Sequence, residues 1–212
     1  MKLREVAQQS RGALTREQIT QWLDKNGIVK YTIHPNGTVD VDGDVYLHKF
    51  TESALPVHFN NVFGDFVCYH SPIATLVGSP MYVQGDFSIT GCPQLTSLVG
   101  GPRKVDGEVT YIQSNIQTLR GVPEFIGGAL RLHATPVKSL HGIDKVVEHM
   151  KYFSCNDGAT HILGLILIDG LIQVEVGPHK VDEILTKYLG TGDIIAAQDE
   201  LIDAGFKEQA RL

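Results

Sequence analysis

Val62-Phe63-Gly64-Asp65-Phe66-Val67-Cys68 returns as Val83-Gln84-Gly85-Asp86-Phe87-Ser88-Ile89, and this return decides the fold. Further copies stand at Val105-Asp106-Gly107-Glu108-Val109-Thr110-Tyr111 and Ile126-Gly127-Gly128-Ala129-Leu130-Arg131-Leu132. An upstream copy, Val41-Asp42-Gly43-Asp44-Val45-Tyr46-Leu47, fits the same frame. The central glycines fall at 43, 64, 85, 107 and 128. A constant step of about 21 residues is the mark of a solenoid, in which each unit buries its apolar side only against its neighbours.

The other half of the unit repeats in register. Leu76-Val77-Gly78-Ser79-Pro80 matches Leu98-Val99-Gly100-Gly101-Pro102, Leu119-Arg120-Gly121-Val122-Pro123 and Leu140-His141-Gly142-Ile143. Strand side chains alternate between faces. Phe66, Cys68, Ser71, Ile73 and Leu76 are therefore expected inside, as are Val109, Tyr111, Ser114, Ile116 and Leu119. Leu130, Leu132, Thr135, Val137 and Leu140 take the same places one unit on. A weaker copy follows, with Met150 and Tyr152 in the strand positions and Cys155 beyond them.

This order of positions resembles the leucine-rich-repeat family over roughly residues 38 to 160. Ser71, Cys92, Ser114 and Thr135 stand where that family commonly has Asn. The repeated Leu-x-Gly-x-Pro phrase is similar to that of small leucine-rich-repeat-like proteins of large tailed bacteriophages. So are Ile184-Leu185-Thr186-Lys187-Tyr188-Leu189 and Gln198-Asp199-Glu200-Leu201-Ile202-Asp203-Ala204-Gly205. The resemblance implies an α/β repeat solenoid with a parallel sheet of five to six rungs, the cytoplasm of an infected host as its setting, and no particular chemistry.

Solenoids need closed ends. Residues 1–37 are expected to form a helix-and-hairpin cap. Thr15-Arg16-Glu17-Gln18 has capping-box spacing, Ile19, Trp22 and Leu23 share a face, and Asn26-Gly27 stops the helix. Ile28 to Ile33 and Thr38 to Val41, joined through Asn36-Gly37, read as a hairpin. The solenoid is assigned to residues 38–177, with Leu165 to Ile168 and Leu171 to Val176 as its last strands. Residues 178–212 should form two capping helices. Val181 to Leu189 is the first; Asp193 caps the second, whose Ile194, Ala197, Leu201 and Ala204 share a face.

Placing Phe66 and Cys68 inside puts three columns on the open face. Asp44, Asp65, Asp86, Glu108 and Ala129 form the first. Tyr46, Val67, Ser88, Thr110 and Arg131 form the second, and His48, Tyr69, Thr90, Ile112 and His133 the third. Carboxylates stacked at strand spacing repel, so they need an offset. Three accounts are open: turn caps accepting backbone N–H groups, an acidic strip facing a basic partner, or a calcium ladder. The face turns from acidic and aromatic toward Arg131 and His133, with Lys151 beyond if the register holds. The residues expected to meet a protein partner are Asp44, Tyr46, Asp65, Tyr69, Asp86, Glu108, Arg131 and His133.

The net charge of −6 and the lack of a basic stripe argue against nucleic acid as partner. Three scattered cysteines do not form a disulfide framework, which fits a reducing cytoplasm. Met1 to Val6 is charged, unlike a signal peptide, and the apolar run Ile162 to Ile172 is interrupted by Asp169, so no membrane segment is expected. No catalytic, cofactor or metal residues are assigned. Cys68-Tyr69-His70 is the nearest approach to a metal motif, and the frame turns Cys68 inward. An enzyme or small-ligand receptor at the acidic column, and a virion or assembly component, stand as the competing functions.

Overall fold

Thr15 and Gln18 cap each other's backbone reciprocally and start α1 (Arg16–Lys25) in the computed structural model, which describes residues 14–48 and 50–212. The expected character of Met1 to Val6 lies outside the described residues. Asn26 and Gly27, the latter at φ +73°, end the helix, and Ile19 and Leu23 are buried beneath it. β1 (Tyr31–Ile33) and β2 (Thr38–Val41) form the antiparallel hairpin read from Asn36-Gly37.

From there the chain winds through β3 (Val45–His48), β4 (His58–Val62), β5 (Phe66–Tyr69), β6 (Tyr82–Val83), β7 (Phe87–Thr90), β8 (Lys104–Val105), β9 (Val109–Ile112), β10 (Phe125–Ile126), β11 (Ala129–His133), β12 (Tyr152–Cys155) and β13 (Gln173–Glu175). These strands fall into two sheets. One has six strands in the order β1-β2-β4-β6-β8-β10, and the other has seven in the order β13-β12-β11-β9-β7-β5-β3. Among the described residues only the β1–β2 pair is antiparallel.

The glycine register is the register of the larger sheet. Phe66 pairs with Val45 and Phe87, Phe87 with Val109, and Val109 with Leu130. Phe66 and Phe87 stack at 5.3 Å inside, with Tyr111 edge-on to Phe87 at 6.1 Å. Each buried ring of this kind contributes about 1.5–3 kcal/mol through lost water contact. In the small-residue slot, Ser71 Oγ donates to Phe50 O at 3.1 Å, as the turn requires. Ser114 and Thr135 fill the space, but their hydroxyls find no partner among the described residues.

Several expectations are corrected. The sheet has seven rungs rather than five to six, because β12 and β13 extend it without the Gly-acid phrase. The return half of the rungs as far as β10 is a second sheet, parallel from β2 onward, so the solenoid is β rather than α/β, with α-helices confined to the ends among the described residues. In the weak copy Phe153 and Cys155, not Met150 and Tyr152, pair with the inward Leu130 and Leu132. Tyr152 stands beside Ala129, which leaves Lys151 before the strand instead of at the end of the face. Ile162–Leu167 is a 3₁₀ helix whose Ile162, Leu163, Leu165 and Ile166 fill the core, and only Gln173–Glu175 of the later run is strand.

At the C-terminal end, α2 (His179–Tyr188) and α3 (Ile194–Asp203) bury Val181, Ile184, Leu185, Ala197 and Leu201. Asp193 Oδ1 accepts the Ala196 N–H at 3.1 Å, so the expected cap is present. Ala204 is exposed: α3 ends at Asp203, and of the expected face Ile194, Ala197 and Leu201 meet the core.

Candidate functional site

The carboxylate column is bonded along its length. Asp44 Oδ1 accepts the Asp65 N–H at 2.8 Å, Asp65 Oδ1 the Asp86 N–H at 2.8 Å, and Asp86 Oδ1 the Glu108 N–H at 2.7 Å. Each carboxylate thus caps the strand start of the next rung, a charge-assisted bond that offsets repulsion within the column. The preceding glycines make room for it. A Cβ on Gly64, Gly85 or Gly107 would collide with the carboxylate of the rung before. Repeated glycine and repeated acid are therefore one device. Its second oxygen remains free for other contacts, as Asp65 Oδ2 shows by accepting the Tyr46 hydroxyl at 3.3 Å.

Glu108 is one methylene longer and breaks the series. Its carboxylate receives Arg131 Nε at 3.2 Å, and the guanidinium lies 4.7 Å from the centre of the Tyr152 ring. The hydrogen bond to Glu108, more than any other contact, raises the affinity of Arg131 for its proton. Beyond it, His133 Nε2 lies 2.9 Å from Ser154 Oγ. At the opposite end Tyr46 is 53 % exposed, and His48 stacks on Tyr69 at 4.3 Å. The expected partner-facing residues therefore occupy one continuous sheet face, acidic and aromatic at one end and carrying Arg131 and His133 at the other.

The strands of this face end in a left-handed turn at His70, Gln113 and Ala134, at φ of 52° to 55°. Gly91 takes that position in the intervening rung, and a Cβ there would stand 2.8 Å from His70 Nδ1. The His70 ring thus rests on the glycine of the next unit.

A second column went unread in the sequence. On the six-stranded sheet, Asn61, Tyr82, Lys104 and Phe125 stand side by side, and a bridge continues from Phe125 to His149. Lys104 Nζ lies 5.3 Å from the Tyr82 ring centre and 5.1 Å from that of Phe125. Phe125 stacks on His149 at 4.9 Å, and His149 Nδ1 pairs with Asp169 at 2.8 Å. Asn61, Tyr82, Lys104 and Phe125 each stand three residues before a repeat glycine, an offset that carried the signal.

Cys68, Cys92 and Cys155 are free and buried. The neighbouring Cys68 thiol holds the Cys92 thiol below its ordinary value, while burial pushes Cys155 up to about 12. Among the described residues no three His, Cys, Asp or Glu side chains are grouped to hold a metal ion, and no helix is long and apolar enough to cross a membrane. A groove of about 680 Å³ opens between β13 and α2, away from the carboxylate column. No family model, curated protein or solved structure matches the chain.

Proposed function

We propose that this parallel β-solenoid is a non-catalytic protein-binding module whose recognition surface is the open face of the seven-stranded sheet. The observation that carries the reading is the division of labour within each carboxylate. One oxygen is held by a backbone N–H of the next rung, which fixes the charge in place without consuming it. A strip of positioned charge beside exposed aromatic rings suits a partner with cationic groups, and arginine and aromatic side chains are frequent anchors of protein interfaces. Arg131, held between Glu108 and Tyr152, supplies the opposite charge at the far end.

The likeness of the Leu-x-Gly-x-Pro repeat to leucine-rich-repeat-like proteins of large tailed bacteriophages supports a finer version. In it the chain acts in the cytoplasm of an infected bacterium and engages or inhibits a host protein. Affinity capture from a bacterial lysate, run in parallel with the native chain and the Asp65→Asn/Asp86→Asn variant, tests this reading. A partner retained by the native chain and lost by an equally stable variant supports it. Equal retention by both removes the carboxylate column from the interface.

A further inference from the structure

We propose that the free edge of β13, together with the groove it forms against α2, binds an extended basic peptide segment as an eighth strand of the larger sheet. This site lies at the edge of the sheet, away from the carboxylate column of the preceding reading, and stands without it.

The register identifies which backbone groups are open. Val45 donates its N–H forward to Asp65 O, Phe66 to Asp86 O, and Phe87 to Glu108 O. Val174 holds the same inward position in β13, paired backward with Phe153. Among the described residues no strand lies beyond it, so its N–H and C=O point out of the sheet edge. Two residues on, the equivalent forward donor, Val176 N–H, is already taken by Asp182 Oδ1 at 2.9 Å. That bond fastens α2 to the edge and leaves a slot of about 680 Å³ alongside Val174. An open strand edge flanked by a groove is the geometry of strand addition, where main-chain bonds give affinity and alternate side chains give selectivity.

The lining sets the chemistry of the occupant. Asp157, Glu175, Asp182 and Glu183 all border the slot. Glu183 is engaged by His179 at 3.3 Å and Lys180 at 3.5 Å. Asp157, Glu175 and Asp182 have no ion-pair partner among the described residues. Burial raises the Asp182 carboxyl above its ordinary value, and the charges of Glu175 and Asp157 add to the effect. An incoming strand would lie at about 4.8 Å, with alternate side chains beside Glu175 and the others over Val174. Lysine or arginine suits the first set and small apolar residues the second.

The test is titration of the full isotope-labelled chain with a blocked hexapeptide of alternating lysine and valine, followed at the Val174 and Glu175 amides. Saturable shifts centred on these amides are expected. Affinity should fall at least tenfold for a peptide N-methylated at alternate residues and for the Asp157→Asn/Glu175→Gln variant. The Asp65→Asn/Asp86→Asn variant should bind the peptide as the native chain does, which separates this site from the carboxylate column. Equal binding of the N-methylated peptide, of a glutamate–valine counterpart, or no saturation at millimolar peptide would overturn the proposal. So would sedimentation showing that a second copy of the chain already occupies the edge. Melting curves confirm that each variant is folded, and if the double variant is not, the N-methylated peptide decides alone.

Discussion

Asp65 Oδ1 accepts the backbone N–H of Asp86 at 2.8 Å, from the space that a Cβ on Gly85 would fill. The bond and the vacancy recur in three successive rungs, so the Gly-acid phrase is at once a steric and an electrostatic requirement.

Gly85→Ala is expected to destabilise the chain by about 1–3 kcal/mol, the range for overpacking a close approach. Its Cβ would meet the Gly64 backbone at 2.8 Å as well as the Asp65 carboxylate. Gly177→Ala, whose Cβ meets only Val181 Cβ at 3.9 Å, should be nearly neutral. Urea unfolding of the two variants makes the comparison, and equal stability of both would contradict the coupling.

Asp86→Ala removes the acceptor for the Glu108 N–H and should lower stability by about 1 kcal/mol. Asp86→Asn keeps a side-chain oxygen at that place and should stay within about 0.5 kcal/mol of the native chain. If alanine and asparagine cost the same, charge rather than the hydrogen bond holds the rungs.

Arg131→Ala gives up the Glu108 pair and the Tyr152 ring together, an expected loss of about 1 kcal/mol. Arg131→Lys keeps the charge but not the planar guanidinium, so it should recover less than half of that. A double-mutant cycle with Tyr152→Leu measures the ring's share, and a coupling of zero would show that the stack contributes nothing.

Acid should loosen the junction between the hairpin and β4. Burial alone would raise the Asp40 carboxyl, but donors from Asn60, His34 and the Asn61 backbone outweigh it and hold the value below 3.8. A depressed folded value means the stabilisation is present above 3.8 and is lost as pH falls through the lowered value. The melting-temperature gap between the native chain and Asp40→Ala should therefore narrow from pH 5 to pH 2. A constant gap across that range would show that Asp40 does not act through its charge.

The larger sheet was legible because Gly64, Gly85 and Gly107 cannot be anything else once Asp44, Asp65 and Asp86 reach across to the next rung. Both end caps were legible from local chemistry, Thr15 with Gln18 at one end and Asp193 at the other. The six-stranded sheet was not. Its strands at Tyr82–Val83, Lys104–Val105 and Phe125–Ile126 are two residues long, too short to show alternation. The last rungs were misplaced because Tyr152 aligns with Ala129 across a longer step, with no glycine or carboxylate to mark it. The column of Tyr82, Lys104 and Phe125 was missed for the same reason as its sheet.

The most direct test of the recognition surface is the association rate of a purified captured partner with the native chain and with Asp65→Asn/Asp86→Asn, at low and high salt. A steering strip of positioned carboxylates predicts that the native rate falls at least tenfold as salt rises, since exposed charges are screened over about 8 Å at physiological ionic strength. The variant should start slower and change little with salt, at an unchanged melting temperature. Identical rates for the two proteins at every salt concentration would contradict the account.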